Sequence, residues 1–156
     1  VTITIIAVGS IRGALSHAVE DFEGRVRRYW KLDLIEVDRG AGRSTRPDAV
    51  IAAEEARILA RLPANGRAVA LTRGGNGMTS RELARWLSER ALEACDVSFL
   101  VGGAHGLGTG VLGKASHHLS LSPMTLPHEM ARLLLFEQLY RAGTILRGEP
   151  YHKGSR

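Results

Sequence analysis

Short apolar runs closed by turn residues alternate along this chain with stretches of helical period, and that alternation restricts the fold more than any other feature. Residues 2–8 alternate and then run apolar as far as Gly9. Segments 32–37, 67–71, 97–101 and 118–121 repeat the pattern, with Gly40, Gly74-Gly75, Gly102-Gly103 and Pro123 following them. These are the predicted strands. Helical patterns lie between and after them, over roughly 15–30, 47–62, 79–94, 109–115 and 127–146. Thr79-Ser80-Arg81-Glu82 opens the third as a capping box, in which hydroxyl and carboxylate satisfy each other's free N–H groups. Strands separated by helices need crossover connections, so the predicted class is α/β, a mainly parallel sheet flanked by helices. With 156 residues, the chain is expected to form a single domain, 1–156, too small for separate cofactor and substrate domains.

The last helical pattern is unusual. Met130, Ala131, Leu133, Leu134, Leu135, Phe136, Leu139 and Tyr140 cover more than the ~100° stripe of a surface helix. Either the helix is buried between layers or it gives a second face to another copy of the chain, making a homodimer.

A net charge of +5 and a pI near 10.0 favour a polyanionic partner without identifying one. No window approaches the ~18 apolar residues of a membrane span, and the first residues lack the cationic start of a signal peptide, so a soluble, cytoplasmic protein with no membrane partner is expected. The one cysteine, Cys95, rules out an internal disulfide and reads as a small buried hydrophobe. Among His17, His105, His117, His118, His128 and His152 no pair has the H-E-x-x-H spacing, and His117 and His118 fall on opposite faces of a strand; no metal site is expected. Residues 39–46, with three arginines and two glycines, read as a mobile surface loop, either a solvated connection or a phosphate contact.

In an open α/β sheet, ligands bind beyond the carboxyl ends of the strands. Three loops leave strand ends there with suitable chemistry: 72–77, 102–108 and 122–126. Their glycines allow close backbone approach, so the loops can present N–H and C=O groups to a ligand. Gly108, Gly110 and Gly113 also satisfy G-x-G-x-x-G, but no strand directly precedes them and no carboxylate closes the next strand. The same octapeptide approaches a phosphate loop, except that Ala115 replaces the hydroxyl that would hold Mg²⁺.

From Val101 the chain carries Val101-Gly102-Gly103-Ala104-His105-Gly106-Leu107, then 119–128 (LSLSPMTLPH), Glu137-Gln138-Leu139-Tyr140-Arg141-Ala142 and Arg147-Gly148-Glu149-Pro150-Tyr151-His152-Lys153. These motifs, with Ile5-Ile6-Ala7-Val8-Gly9 and the overall length, resemble the ribosomal RNA large-subunit methyltransferase H family. The similarity extends over nearly the whole chain.

That resemblance implies an S-adenosylmethionine-dependent enzyme of the SPOUT superfamily, with a C-terminal trefoil knot, acting as a homodimer without an added RNA-binding domain. It further implies methylation of N3 of a pseudouridine in helix 69 of 23S rRNA within the assembled ribosome, a partner that is RNA and not DNA. The family's cofactor positions fall on Leu71, Gly102, Leu121, Ser122, Pro123, Met124, Thr125 and Leu126, and Gly103 adjoins them. Taken singly, the leucines and Met124 read equally well as core or as walls for an adenine.

Removing the weakly acidic N3 proton needs a base, and the developing anion needs a donor or a cation. His152 is the candidate base, Arg141 or Lys153 the candidate cation, and Tyr151 is expected to pack on the substrate. His128 is a poorer candidate. The plain alternatives are an Arg141–Glu137 pair at i, i+4 and a frayed tail. From another class, a non-catalytic RNA-binding or ribosome-associated module would use the same basic surface.

Overall fold

The structure, a computed structural model, describes residues 1–153, the side chain of His152 excepted. Its strands are β1 (Thr2–Val8), β2 (Lys31–Val37), β3 (Arg67–Gly77), β4 (Val97–Val101) and β5 (His117–Ser120). They form one sheet in the order β2-β1-β4-β3-β5, with every pairing parallel. The helices are α1 (Ser16–Val26), α2 (Pro47–Arg61), α3 (Ser80–Leu92), α4 (Thr109–Lys114) and α5 (His128–Leu146), followed by a 3₁₀ turn over Pro150–His152.

Both faces of the sheet are covered, which is why the central strands read as continuous apolar runs. Ile3, Ile5, Ala7 and Phe99 face a core shared with Val19 and Val26 of α1, Leu83 and Leu87 of α3, and Leu135, Phe136 and Leu139 of α5. Ile6, Val8 and Leu100 face the opposite core, built with Ile58 of α2 and Val111 of α4. The capping box forms: Thr79 Oγ1 accepts the Glu82 N–H at 3.1 Å, and Glu82 accepts the Thr79 N–H at 2.7 Å. The Thr79 N–H first, and then the Thr79 side chain, hold the Glu82 carboxyl below its ordinary range.

β3 departs from expectation. The chain bulges after Leu71 and returns to the sheet, so that Leu71 and Asn76 both pair with Leu119 and Gly77 pairs with Ser120. A side chain at Gly75 would lie 2.6 Å from the His118 carbonyl oxygen, so the return requires glycine there. Cys95, expected to be buried, is only half-buried.

α5 lies between α1 and α3. Gly143 abuts the ring of Tyr29, Trp30 Nε1 donates to the Leu139 carbonyl at 3.0 Å, and Ser80 Oγ donates to Gln138 Oε1 at 2.6 Å. Packing within one chain thus buries Leu135, Phe136 and Leu139 of the wide apolar arc, while Met130, Ala131, Leu133, Leu134 and Tyr140 stay half-buried, so burial between layers covers only part of it. Among the described residues, no helix is long and apolar enough to cross a membrane.

Candidate active site

Beyond the carboxyl ends of β3, β4 and β5, the chain surrounds a crevice of about 860 Å³. Leu71, Thr72 and Arg73 come from the β3 bulge, and the loop after β4 contributes 102–107. The segment after β5 contributes Leu121, Ser122, Met124, Thr125 and Leu126, continuing into His128 and Ala131 of α5. All the cofactor candidates therefore line one space except Pro123, which is exposed and not part of the lining. Arg73 Nη1 donates to Thr125 Oγ1 at 2.5 Å and ties two walls together. The Met124 N–H bonds to Ser122 Oγ at 3.0 Å, and the remaining main-chain groups of 122–126 have no protein partner among the described residues. They are available to a ligand. Met124 itself is 75% exposed at the rim.

The two glycines at the floor serve packing as well as access. A Cβ on Gly102 would lie 2.8 Å from the carbonyl carbon of Gly106, across the turn closed by the Gly106 N–H to Gly103 carbonyl bond of 3.0 Å. A Cβ on Gly103 would lie 2.9 Å from Glu54 Oε1 and 3.0 Å from Val8 Cγ1. Glu54, only 3% exposed, stands behind the floor; its other oxygen accepts the Gly40 N–H at 2.8 Å, and Oε1 has no hydrogen-bond partner among the described residues.

The G-x-G-x-x-G match has a different explanation. Glu55 Oε2 accepts the N–H groups of Gly110 and Val111 at 3.1 and 3.2 Å, capping α4 from outside the helix. Side chains at Gly108 or Gly110 would run into that carboxylate. The position where a phosphate would bind a helix N-terminus is filled by the protein's own anion. As expected of strand neighbours, His117 and His118 diverge: His117 packs edge-on to Trp86 at 5.0 Å, and His118 Nε2 contacts the Leu112 carbonyl at 2.8 Å. No group of three or more potential metal ligands converges among the described residues.

Arg141 and Tyr151 meet, away from the crevice. Arg141 Nη2 and Nε donate to Glu137 Oε1 at 2.6 and 3.0 Å, and the Tyr151 hydroxyl donates to the same oxygen at 3.1 Å. Tyr151 also packs against Tyr140, with centroids 4.5 Å apart, and beneath the Arg141 guanidinium. The Glu137 bond raises the Arg141 pKa, while burial and then the Glu137 charge raise that of Tyr151; both stay protonated at neutral pH. Arg141 is ten residues along α5 from Ala131 at the crevice, about 15 Å at helical rise. The side chain of His152 lies outside the described residues.

Sequence reasoning missed Glu54, Glu55 and Arg132. Arg132, 2% exposed, donates to Glu36 Oε2 at 2.5 Å and to the Gly9 carbonyl at 2.8 Å. It pins the start of α5, and with it the segment that closes the crevice, to the ends of β1 and β2. Its only sequence signal is a cation on an otherwise apolar helical face.

A parallel sheet with a crevice beyond its strand ends, built from a bulged β3 and the β4 and β5 loops, defines an open α/β fold that binds its ligand at the carboxyl ends of the strands. The family model described as Predicted SPOUT methyltransferase matches residues 1–152. The chain is 51% identical to Ribosomal RNA large subunit methyltransferase H of Gemmatimonas aurantiaca, covering 97% of this chain and 99% of that one. It is 40% identical to the protein of the same name from Clostridioides difficile, at the same coverages. The chain therefore belongs to the SPOUT methyltransferases and, among them, to the ribosomal RNA large subunit methyltransferase H family. Solved structures show the same fold at low identity. A probable methylase family protein from Haemophilus influenzae Rd KW20 superposes with a TM-score of 0.54 and 15% identity, over 94% of this chain and 67% of that one. The putative methyltransferase Lpg2936 from Legionella pneumophila, in complex with the bound cofactor SAM, gives 0.52 and 12%, over 90% and 66%.

Proposed function

We propose that this protein transfers a methyl group from S-adenosylmethionine to N3 of a pseudouridine in helix 69 of 23S rRNA, in the assembled ribosome, as a cytoplasmic homodimer with a C-terminal trefoil knot. The crevice carries the reading: it has the size of a small-molecule site, apolar walls in Leu71, Leu121 and Leu126, and unpartnered main-chain groups in 122–126 suited to an adenine edge. When bound, the cofactor supplies an activated methyl on a sulfonium. The residues around it orient that methyl for in-line displacement, since the cost of such a transfer is largely positional.

Transfer forms the N3–carbon bond and breaks the carbon–sulfur bond, the electron pair leaving with sulfur; the N3 proton must go to a base. His152 is the proposed acceptor. Arg141 or Lys153 offsets the negative charge that develops on the pseudouridine imide, and Tyr151 packs on the substrate. Arg141, with Tyr151 packed on it, sits about 15 Å from its own crevice by the helical rise between Ala131 and Arg141. The tail therefore serves a crevice other than its own, which favours a homodimer in which each crevice receives the partner's tail.

Two measurements test this. Calorimetric titration with S-adenosylmethionine is expected to show saturable binding to the apoprotein. Mass spectrometry of rRNA from ribosomes incubated with enzyme and cofactor is expected to show one added methyl at a helix 69 pseudouridine. Binding without methylation of any rRNA would leave an RNA- or ribosome-associated module.

A further inference from the structure

The loop after β2 was expected to be mobile, yet α2 holds it from beneath. Arg57 Nη1 donates to the carbonyls of Asp38 and Gly40 at 2.8 and 2.6 Å, and the buried Glu54 accepts the Gly40 N–H. Ser44 N–H closes the loop onto the Ala41 carbonyl at 3.1 Å, with Gly40 and Gly42 at φ +85° and +61°. A buried carboxylate and a committed guanidinium are thus spent on a solvent-facing loop. That loop displays Arg39 and Arg43, both exposed and, among the described residues, without a hydrogen bond or ion pair. Arg46 is instead engaged with Asp48 at 2.9 Å.

The surroundings share this charge. Arg12 after β1 and Arg73 in the β3 bulge stand on the same edge of the sheet, and Asp38 is the one carboxylate in 9–15, 38–46, 102–108 and 121–127. In the order β2-β1-β4, the loop lies two strand spacings from the crevice floor, about 10 Å. Glu54 bridges the two, with one oxygen on Gly40 and the other against Gly103.

We propose that loop 38–46 docks the sugar-phosphate backbone of the RNA substrate through Arg39 and Arg43, held in register with the crevice by Glu54 and Arg57. This rests on the reading of the crevice as an RNA methyltransferase site. Pinning the loop before binding removes much of the ordering cost that free arginines would bear. Glu54 and Arg57 are positioning residues here, touching the loop and not the RNA.

The test uses R39Q/R43Q in the full chain, with R28Q/R61Q, an equal charge change on exposed arginines at the opposite edge, as control. Steady-state methylation of bacterial ribosomes is expected to show KM for ribosomes raised roughly tenfold in R39Q/R43Q, with kcat and S-adenosylmethionine affinity unchanged. The salt dependence of log KM is expected to flatten by about one unit of slope per arginine removed. R39K/R43K is expected to retain most of the wild-type affinity. Equal KM and salt slope in R39Q/R43Q and wild type, or an equal loss in R28Q/R61Q, would overturn the proposal. If the wild type neither binds cofactor nor methylates, the crevice reading falls on its own. Co-sedimentation with ribosomes then still decides the loop: weaker binding of R39Q/R43Q than of R28Q/R61Q supports docking, and equal binding overturns it.

Discussion

Glu55 Oε2 accepts the main-chain N–H of Gly110 at 3.1 Å, an α2 carboxylate capping the short α4 helix fifty-five residues away. The glycines at 108 and 110 are the space this carboxylate needs. Glu55→Gln removes the charge at the helix N-terminus, and the expected cost is about 1 kcal/mol. Gly110→Ala, which forces the carboxylate out, is expected to cost at least as much. Urea midpoints at constant m-value read both; an unchanged midpoint in Gly110→Ala would remove the capping account.

Gly103→Val is expected to weaken S-adenosylmethionine binding by at least tenfold, through movement of the crevice floor. The introduced side chain meets Glu54 and Val8 behind the floor, and buried backbone with little room to relax shifts toward the ligand. Calorimetry on protein whose circular dichroism remains native checks this. Wild-type affinity in such a protein would show that the floor does not contact the ligand.

Deletion of residues 150–156 is expected to abolish methyl transfer while leaving the proposed dimer and most cofactor affinity in place, because Tyr151 packs on the far end of α5 and not on its own crevice. His152→Ala alone is expected to lower kcat more than it raises KM. Sedimentation, calorimetry and single-turnover methylation separate these effects. A truncated, folded protein that methylates at the wild-type rate would return the search for the base to His128.

Stability should also depend on His117. Burial first, and then the nearby charges of Arg67 and Arg90, lower its pKa in the folded state. The unfolded chain, with a histidine pKa of about 6.5, binds the proton more readily, so folding stability falls as pH drops through that value and is fully retained above it. His117→Gln is expected to flatten this dependence between about pH 5.5 and 7.5. Urea midpoints over that range decide the matter, and an unchanged slope would assign the pH dependence elsewhere.

Arg132→Met is expected to destabilise the protein by about 2 kcal/mol, since it breaks two charge-assisted bonds but leaves Glu36 partly solvated. A double-mutant cycle with Glu36→Gln measures the coupling. A coupling energy near zero would place the contribution of Arg132 in its bond to Gly9.

The alternation of apolar runs and helical patterns fixed the element order, because strands buried on both faces and helices on a shared core must carry those periods wherever they sit. The sheet was legible in this way: 2–8 and 97–101 are strands as predicted, and the capping box at Thr79 marks the start of α3. The crevice was legible too, as loops at strand ends. What the sequence could not specify depends on contacts between distant segments. Glu54 and Glu55 are neighbours on one helix, yet the 100° turn between them sends one carboxylate to Gly40 and Gly103 and the other to the start of α4. The rejoining of β3 with β5 requires Leu119 and Ser120 beside it, and which part of the α5 arc is core is decided only by the packing of α1 and α3 on Leu135, Phe136 and Leu139. Periodicity belongs to each segment separately, whereas partners are chosen only when the packed chain brings together groups that must share hydrogen bonds and exclude water.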